Sequence, residues 1–133
     1  MAYFGKEFTF DREENFEEFI NAIGASTESA KSFLQYKPNQ IIEKNGDTYK
    51  LIFKTPVVDH EVVFKSGEPF KEVIREGLEC QCTINVDGDT YTQVQDFGPL
   101  GSLTFKREYT ANTLKVSVTS SKWDGVAYRY YKA

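Results

Sequence analysis

Hydrophobic and polar residues alternate along most of this chain, and a helical spacing replaces the alternation only near the N-terminus. Leu103, Phe105, Arg107 and Tyr109 occupy every second position of one run, with polar residues between them. A period of two places these side chains on one face of a β-strand. Similar short runs follow one another along the chain, separated by turn signals such as Asp87-Gly88. The predicted strands include residues 48–54, 57–64 with Val58 on the inward face, 102–109 and 126–132. Their spacing of about 8–12 residues is typical of a β-barrel or β-sandwich.

Two helices are predicted after the first strand, which is expected over residues 4–10. Phe16, Phe19, Ile20 and Ile23 follow the i, i+3, i+4, i+7 spacing of an amphipathic helix, and Gly24 ends it. Asp11 and Asn15 are the alternatives for its N-cap. A second, shorter helix is predicted over residues 26–36, with the apolar stripe Ala30, Phe33 and Leu34.

These elements predict one mainly β domain over residues 1–133. The expected fold is a ten-stranded antiparallel up-and-down barrel (a β-clam) with a helix-turn-helix lid after the first strand. Closing the meander removes the exposed sheet edges that an open sheet leaves. A barrel of about ten strands has more interior volume than its side chains fill, which favours a ligand cavity. A flattened sandwich with a filled core fits the same pattern, and the alternation alone leaves both open.

Composition and charge exclude several classes of protein. The net charge is −4 and the Lys and Arg residues are dispersed, so no nucleic-acid partner is expected. No apolar run reaches the 18 residues of a membrane span, and the N-terminal sequence lacks the pattern of a secretory signal. Cys80 and Cys82 lie at i and i+2 on one strand face, where disulfide geometry is poor. Free thiols are typical of a reducing compartment, so we expect a cytoplasmic protein.

Catalytic chemistry is not expected. The chain contains no G-x-S-x-G motif, no glycine-rich phosphate loop and no H-E-x-x-H motif. The one histidine, His60, has no evident nucleophile beside it, and a lone C-x-C pair is a weak metal signal. We therefore predict no catalytic residues, no metal site and no cofactor.

Two arginines interrupt apolar strand faces. Arg107 follows Leu103 and Phe105 on one face, and Arg129 lies between Ala127 and Tyr131 on another. An isolated buried charge is very costly, so an inward arginine requires a partner or solvent. One explanation is a ligand with a negative group. The other is a rim position or a pairing with a core glutamate, and the pattern does not decide between them.

Several short motifs, in the same order over the whole chain, resemble the intracellular lipid-binding proteins, the family of cytosolic fatty acid-binding proteins. They are A-Y-F-G-K at residues 2–6, N-F-E-E-F at 15–19, K-P at 37–38, I-E-K-N-G-D at 42–47, F-K-S-G-E-P-F at 64–70, K-R-E at 106–108 and R-Y-Y at 129–131. The ending at residues 123–133 is similar to that of insect members, especially those of the lepidopteran midgut. No single motif is decisive. The resemblance rests on the order in which all of them occur over the whole chain.

The resemblance implies a carrier of long-chain fatty acids, with Arg107, Arg129 and Tyr131 binding the carboxylate in an internal cavity. The other predicted ligand-binding residues are Phe16, Tyr49, Leu51, Phe53 and Phe105. The predicted lid and portal residues are Ile20, Phe33, Val57 and Val58. A carrier of retinoic acid is the first alternative, because two arginines favour a carboxylate over an alcohol. An interaction module with a filled barrel is the second.

Two features depart from the family pattern. Glu7 stands where the family has an aromatic residue, and the stretch to Asn15 is one residue longer, so we expect a bulge in the first strand. Val57 or Val58 stands where the family has a portal phenylalanine, and Pro56 alters the same turn. A transient contact with anionic membranes through lysines 31 and 37 is a further expectation.

Overall fold

The computed structural model describes residues 2–24, 34–75 and 78–133. Ten strands and one α-helix form within these ranges. The strands are β1 (Thr9–Glu14), β2 (Asn39–Asn45), β3 (Thr48–Lys54), β4 (Asp59–Lys65), β5 (Phe70–Arg75), β6 (Leu78–Asp87), β7 (Thr90–Asp96), β8 (Ser102–Tyr109), β9 (Thr113–Ser120) and β10 (Trp123–Lys132). Helix α1 (Phe16–Ala22) follows β1, and a short 3₁₀ helix (Gly98–Leu100) precedes β8.

The strands form two antiparallel sheets. The larger has seven strands in the order β1-β10-β9-β8-β7-β6-β5, and the smaller has the order β2-β3-β4. The sheets meet between β1 and β2, where Phe8 and Gln40 exchange backbone hydrogen bonds of 2.8 and 2.9 Å. Within the described residues, no hydrogen-bonded ladder joins β4 to β5. The predicted mainly β, ten-stranded antiparallel meander with a helix after the first strand is confirmed.

Strand β1 lies later in the chain than the predicted 4–10. It pairs with β10 from Thr9 to Glu14, and the register shifts between Phe10 and Arg12. The prediction missed the charged end of this strand because hydrophobic alternation does not show where a neighbouring strand provides backbone hydrogen bonds. The guanidinium of Arg12 stacks over the ring of Tyr130 on β10 at 3.8 Å, a contact that adds to the backbone pairing of this polar stretch. The register shift is the bulge that the extra residue in this stretch predicted.

Helix α1 begins where the sequence indicated. Asn15 is the N-cap and has a left-handed φ of 63°, but its side chain does not cap the helix. Instead its amide nitrogen donates to the carbonyl oxygen of Val126 at 3.1 Å, which ties the start of the helix to β10. Gly24, with φ of 72°, follows the last turn as predicted. In the described part of the chain, no helix is long and apolar enough to cross a membrane.

The predicted second helix falls mostly on residues 25–33, which lie outside the described residues. Two predictions fall there with it, the lid residue Phe33 and the membrane-contact residue Lys31.

A cluster of four buried tyrosines fills one part of the space between the sheets. We call Tyr3, Tyr49, Tyr91 and Tyr109 the tyrosine cluster. Tyr3 stacks on Tyr109 with ring centroids 4.6 Å apart, and Tyr91 meets Tyr49 and Tyr109 edge-on at 5.8 and 5.3 Å. Such pairs contribute about 0.5–1.5 kcal/mol each beyond their burial. The interior next to this cluster is therefore solidly packed.

Candidate functional site

A cavity of about 940 Å³ occupies the remaining space between the sheets. Its volume lies in the range of about 300–1,000 Å³ that is usual for small-molecule sites. Aromatic and aliphatic side chains contribute much of the wall, among them Phe16, Phe53, Leu103, Phe105, Val116 and Val118. The alternation was compatible with a ligand cavity or with a filled core, and the structure contains the cavity.

Arg107 reaches the cavity from β8, on the inward face that alternation predicted. The side chain is buried, with its Nη1 donating to Oε1 of Gln93 at 2.6 Å and its Nε donating to Oε1 of Gln40 at 3.3 Å. Among the described residues, no carboxylate lies within 4.0 Å of its guanidinium. Burial lowers the pKa of Arg107, because desolvation disfavours the cation. The charge is thus hydrogen-bonded by neutral amides and has no anion in contact with it.

Arg129, on β10, has a different environment. Its Nε donates to Oε2 of Glu13 at 3.0 Å, and its Nη1 donates to the carbonyl oxygen of Tyr36 at 2.7 Å. The other oxygen of Glu13 lies 3.5 Å from Nζ of Lys37. The ring of Phe16 lies 4.3 Å from the guanidinium carbon. The core-glutamate explanation therefore holds for Arg129, although this side chain also lines the cavity.

Tyr131 lies two residues after Arg129 on the same inward face and is buried. Burial raises the pKa of Tyr131, while the positive charge of Arg129 and a hydrogen bond with Gln40 oppose the rise. The phenol is therefore protonated at neutral pH and is able to donate a hydrogen bond. Gln40, which accepts from Arg107, lies close to this tyrosine, and all three predicted carboxylate-binding residues are in the cavity wall.

Most of the predicted ligand-binding residues line the cavity, and two do not. Phe16, Phe53, Phe105, Arg107, Arg129 and Tyr131 are in its wall. Tyr49 and Leu51 are buried in the core instead, and Tyr49 stacks on Phe64 with ring centroids 5.3 Å apart. They share the inward face of β3 with Phe53 but lie nearer the start of the strand, at the hairpin with β2, where the tyrosine cluster fills the interior.

The predicted portal valines lie outside the strand that was expected to contain them. Val57 and Val58 are 93% and 66% exposed, and β4 begins only at Asp59. The hydroxyl of Thr55 donates to the carbonyl oxygen of Val58 at 2.6 Å and accepts its N–H at 3.1 Å, which forms a turn. The prediction that Val58 continues the inward face of β4 is wrong because this turn holds it outside the sheet. A role of either valine at the entrance stays a prediction.

The lid residue Ile20 is buried in the core and does not line the cavity. Sequence reasoning missed two residues at the cavity mouth, Val73 and Leu100, which are exposed and also line the cavity. It also missed polar side chains in the wall, among them Gln40, Glu72, Gln93 and Gln95. The available signal was the pattern Tyr-x-Gln-x-Gln at residues 91–95, a period of two that continues inward from a buried tyrosine.

No protein-family model matches the chain. Over 133 residues it is 52% identical to fatty acid-binding protein 1 of Manduca sexta, with 100% of each chain covered. The chain belongs to the fatty acid-binding protein family. A second family member from the same moth, fatty acid-binding protein 2, is 41% identical over 133 residues, again with 100% of each chain covered. A crystal structure of a Manduca sexta fatty acid-binding protein matches the fold with a TM-score of 0.89 and 40% identity, covering 98% of this chain and 99% of that one. The family resemblance of the motifs is thereby confirmed.

Proposed function

We propose that this protein binds long-chain fatty acids non-covalently in its cavity and carries them through the cytoplasm. The alkyl chain lies against the aromatic and aliphatic wall, and the carboxylate reaches Arg107, Arg129 and Tyr131. The observation that carries the proposal is the buried Arg107, whose charge faces a ligand-sized cavity and whose hydrogen bonds among the described residues go to neutral amides. A carboxylate supplies the missing anion. The names of the similar proteins support the same class of ligand.

The alkyl chain provides most of the binding free energy. Burying a methylene group contributes about 0.8 kcal/mol, so a chain of roughly sixteen carbons gains on the order of 12 kcal/mol before costs. Lost translational and rotational freedom and imperfect contacts offset several kcal/mol of that gain. A dissociation constant between about micromolar and nanomolar is the expected result. The head group then decides the orientation and the chemical class of the ligand.

The two arginines contribute unequally. A carboxylate that binds Arg107 meets a guanidinium with no anion in contact, and Tyr131 donates its hydroxyl from the same wall. A carboxylate that binds Arg129 shares that side chain with Glu13 and is repelled by it. Arg107 is therefore the stronger anchor for the head group.

The alternatives named from the sequence are less well supported. A filled barrel that serves only as an interaction module does not agree with a cavity of about 940 Å³. Retinoic acid carries the same carboxylate, but the similar proteins are named for fatty acids. The buried free thiols Cys80 and Cys82 support a cytoplasmic location. The absence of catalysis and of nucleic-acid binding, and the membrane contact at Lys31 and Lys37, stay predictions.

The test compares Arg107→Leu and Arg129→Leu with the wild type. Delipidated protein is titrated with oleate and with oleyl alcohol in a calorimeter. A hydrogen bond to a charged group contributes about 1.5–3 kcal/mol, so Arg107→Leu is expected to weaken oleate binding roughly ten- to hundredfold. Arg129→Leu is expected to weaken it less. Binding of oleyl alcohol is expected to stay close to that of the wild type, because the alcohol gains little from a guanidinium.

Arg12→Leu is the matched control. Arg12 bonds Glu14 at 2.7 Å and stacks on Tyr130, and it does not line the cavity, so its loss is expected to leave both affinities unchanged. Unchanged oleate affinity in both Arg107→Leu and Arg129→Leu contradicts the assigned site. Failure of the wild type to bind oleate contradicts the function itself.

A further inference from the structure

Besides its cationic side chains, the cavity wall contains an acidic one. Glu72, on β5, lines the cavity and is half-buried. Its Oε1 accepts a hydrogen bond from Nε2 of the buried Gln95 on β7 at 3.0 Å. The thiol of Cys80, which faces Glu72 across the β5–β6 pair, lies at 4.0 Å from the same oxygen. Both of these donors are neutral.

The carboxylate of Glu72 retains unused acceptor capacity. An ionised carboxylate accepts about four hydrogen bonds. The donors Gln95 and Cys80 both reach Oε1 of Glu72, and the thiol of Cys82 is a further neutral donor close to this side chain. Among those residues, no Lys, Arg or His nitrogen lies within 4.0 Å of it. A partly buried anion without a contacting cation favours a ligand that donates a hydrogen bond.

Two glutamines hold Glu72 and Arg107 on the same wall without joining them. Gln93 accepts from Arg107, and Gln95 donates to Glu72. Gln93 and Gln95 are successive inward positions of β7, so their Cα atoms lie about 7 Å apart. Glu72 is therefore within reach of the chain of a ligand whose carboxylate is held at Arg107. A methylene group there removes water from the carboxylate and returns no hydrogen bond, whereas a hydroxyl group returns one.

We propose that Glu72 and Gln95 form a second polar subsite, which binds the hydroxyl group of a mid-chain hydroxylated fatty acid. The inference rests on the proposed function, because it takes the head group to be held at Arg107. The hydroxyl donates its hydrogen to Oε2 of Glu72, and the carboxamide oxygen of Gln95 lies beside it as a further acceptor. A second carboxylate at this subsite is disfavoured, because it meets the negative charge of Glu72.

The experiment compares ricinoleate with oleate, which differ by one mid-chain hydroxyl group. Calorimetric titration of the delipidated protein gives the ratio of the two affinities, and a general loss of stability cancels in that ratio. A charge-assisted hydrogen bond predicts that the wild type binds ricinoleate roughly tenfold or more tightly than oleate. Glu72→Leu is expected to bring the ratio to one or below, by weakening ricinoleate binding and strengthening oleate binding.

The control is Glu79→Leu, because Glu79 is exposed, pairs with Lys71 at 2.8 Å and does not line the cavity. Its ratio is expected to equal that of the wild type. Glu72→Gln, which keeps an acceptor and the shape of the side chain, serves if the leucine variant fails to fold, and it is expected to give an intermediate ratio.

Equal affinities of the wild type for the two acids, with a ratio unchanged in the Glu72 variants, overturn the subsite and leave fatty acid binding intact. If the wild type binds oleylamine more tightly than ricinoleate and Glu72→Leu loses this preference, the subsite binds an amine, and the proposal of a hydroxyl ligand is overturned. If neither acid binds the wild type, the proposed function fails together with the subsite.

Discussion

Replacing Glu13 by glutamine tests how the ligand and the protein compete for Arg129. Nε of Arg129 lies 3.0 Å from Oε2 of Glu13, and the two side chains are 8% and 20% exposed. Glutamine keeps an oxygen that accepts the same hydrogen bond but carries no charge. The variant therefore removes the electrostatic part of the contact and retains its shape.

The expected effects on stability and on affinity have opposite signs. Two unit charges 3.0 Å apart attract by roughly 5 kcal/mol at an effective dielectric constant of about 20, and desolvation offsets much of that attraction. Because the pair is partly solvated and the hydrogen bond survives, we expect the free energy of unfolding to fall by about 1–3 kcal/mol. The same lost charge no longer repels a bound carboxylate. Oleate affinity is therefore expected to rise roughly tenfold, which corresponds to about 1.4 kcal/mol.

Two assays measure these effects. Urea unfolding, followed by the fluorescence of the single tryptophan Trp123, gives stability, and calorimetric titration of the delipidated protein with oleate gives affinity. Glu14→Gln is the control, because Glu14 pairs with Arg12 where the two side chains are 49% and 57% exposed. It is expected to change stability by less than about 1 kcal/mol and leave affinity unaltered. If Glu13→Gln loses stability while its oleate affinity stays equal to that of the wild type or falls, Glu13 does not compete with the ligand, and the reasoning is refuted.

Two further predictions concern buried thiol and phenol groups of the core. Burial raises the pKa of Cys80 to about 11 and that of Cys82 to about 12 from an ordinary value of 9.0. The folded protein therefore favours the protonated thiols. Their contribution to stability is complete below about pH 9 and is lost as the pH rises towards 11–12. Urea unfolding at about pH 8 and pH 10.5 is expected to show a smaller loss for Cys82→Ala than for the wild type, and equal losses contradict this account. The hydroxyl of Tyr109 is buried and has no hydrogen-bond partner in the described residues, so Tyr109→Phe is expected to leave the free energy of unfolding unchanged or raise it. Tyr3→Phe, which removes a hydroxyl 3.3 Å from that of Tyr91, is expected to lower it by about 1 kcal/mol, and a larger loss in the Tyr109 variant contradicts the assignment.

The strands that the sequence predicted best are those bounded by turn signals on both sides. β3 and β8 were expected at residues 48–54 and 102–109, and the structure has Thr48–Lys54 and Ser102–Tyr109. β1 and β10 were placed less well, because each is irregular where it meets its neighbour. The register of β10 against β9 shifts between Trp123 and Ala127. The strand begins at Trp123, three residues before the predicted 126, and includes this irregular stretch. A hydrophobic pattern read along one strand carries no information on such a pairing.

The arginines of the site were predictable because a charge stands out on an apolar face. The amides around them were not predictable, because in β7 the polar side chains face the interior and the apolar one faces outward. Gln93 and Gln95 are buried and line the cavity, while Val94, between them, lies on the other face of the strand. Hydrophobicity alone places the valine inside and the glutamines in water. Sequence reasoning therefore located the cations and missed the groups that surround them.

The reversal in β7 has a physical reason that also bears on the function. An apolar residue in place of Gln93 leaves Nη1 of Arg107 without an acceptor, at the cost of a buried unsatisfied cation. A carboxylate in the same place pairs with Arg107 and removes the charge that attracts an anion, as Glu13 does in part at Arg129. A neutral amide satisfies the hydrogen bond and preserves the charge. The glutamines that defeat the hydrophobic pattern are thus the residues that keep Arg107 both buried and available to a carboxylate ligand.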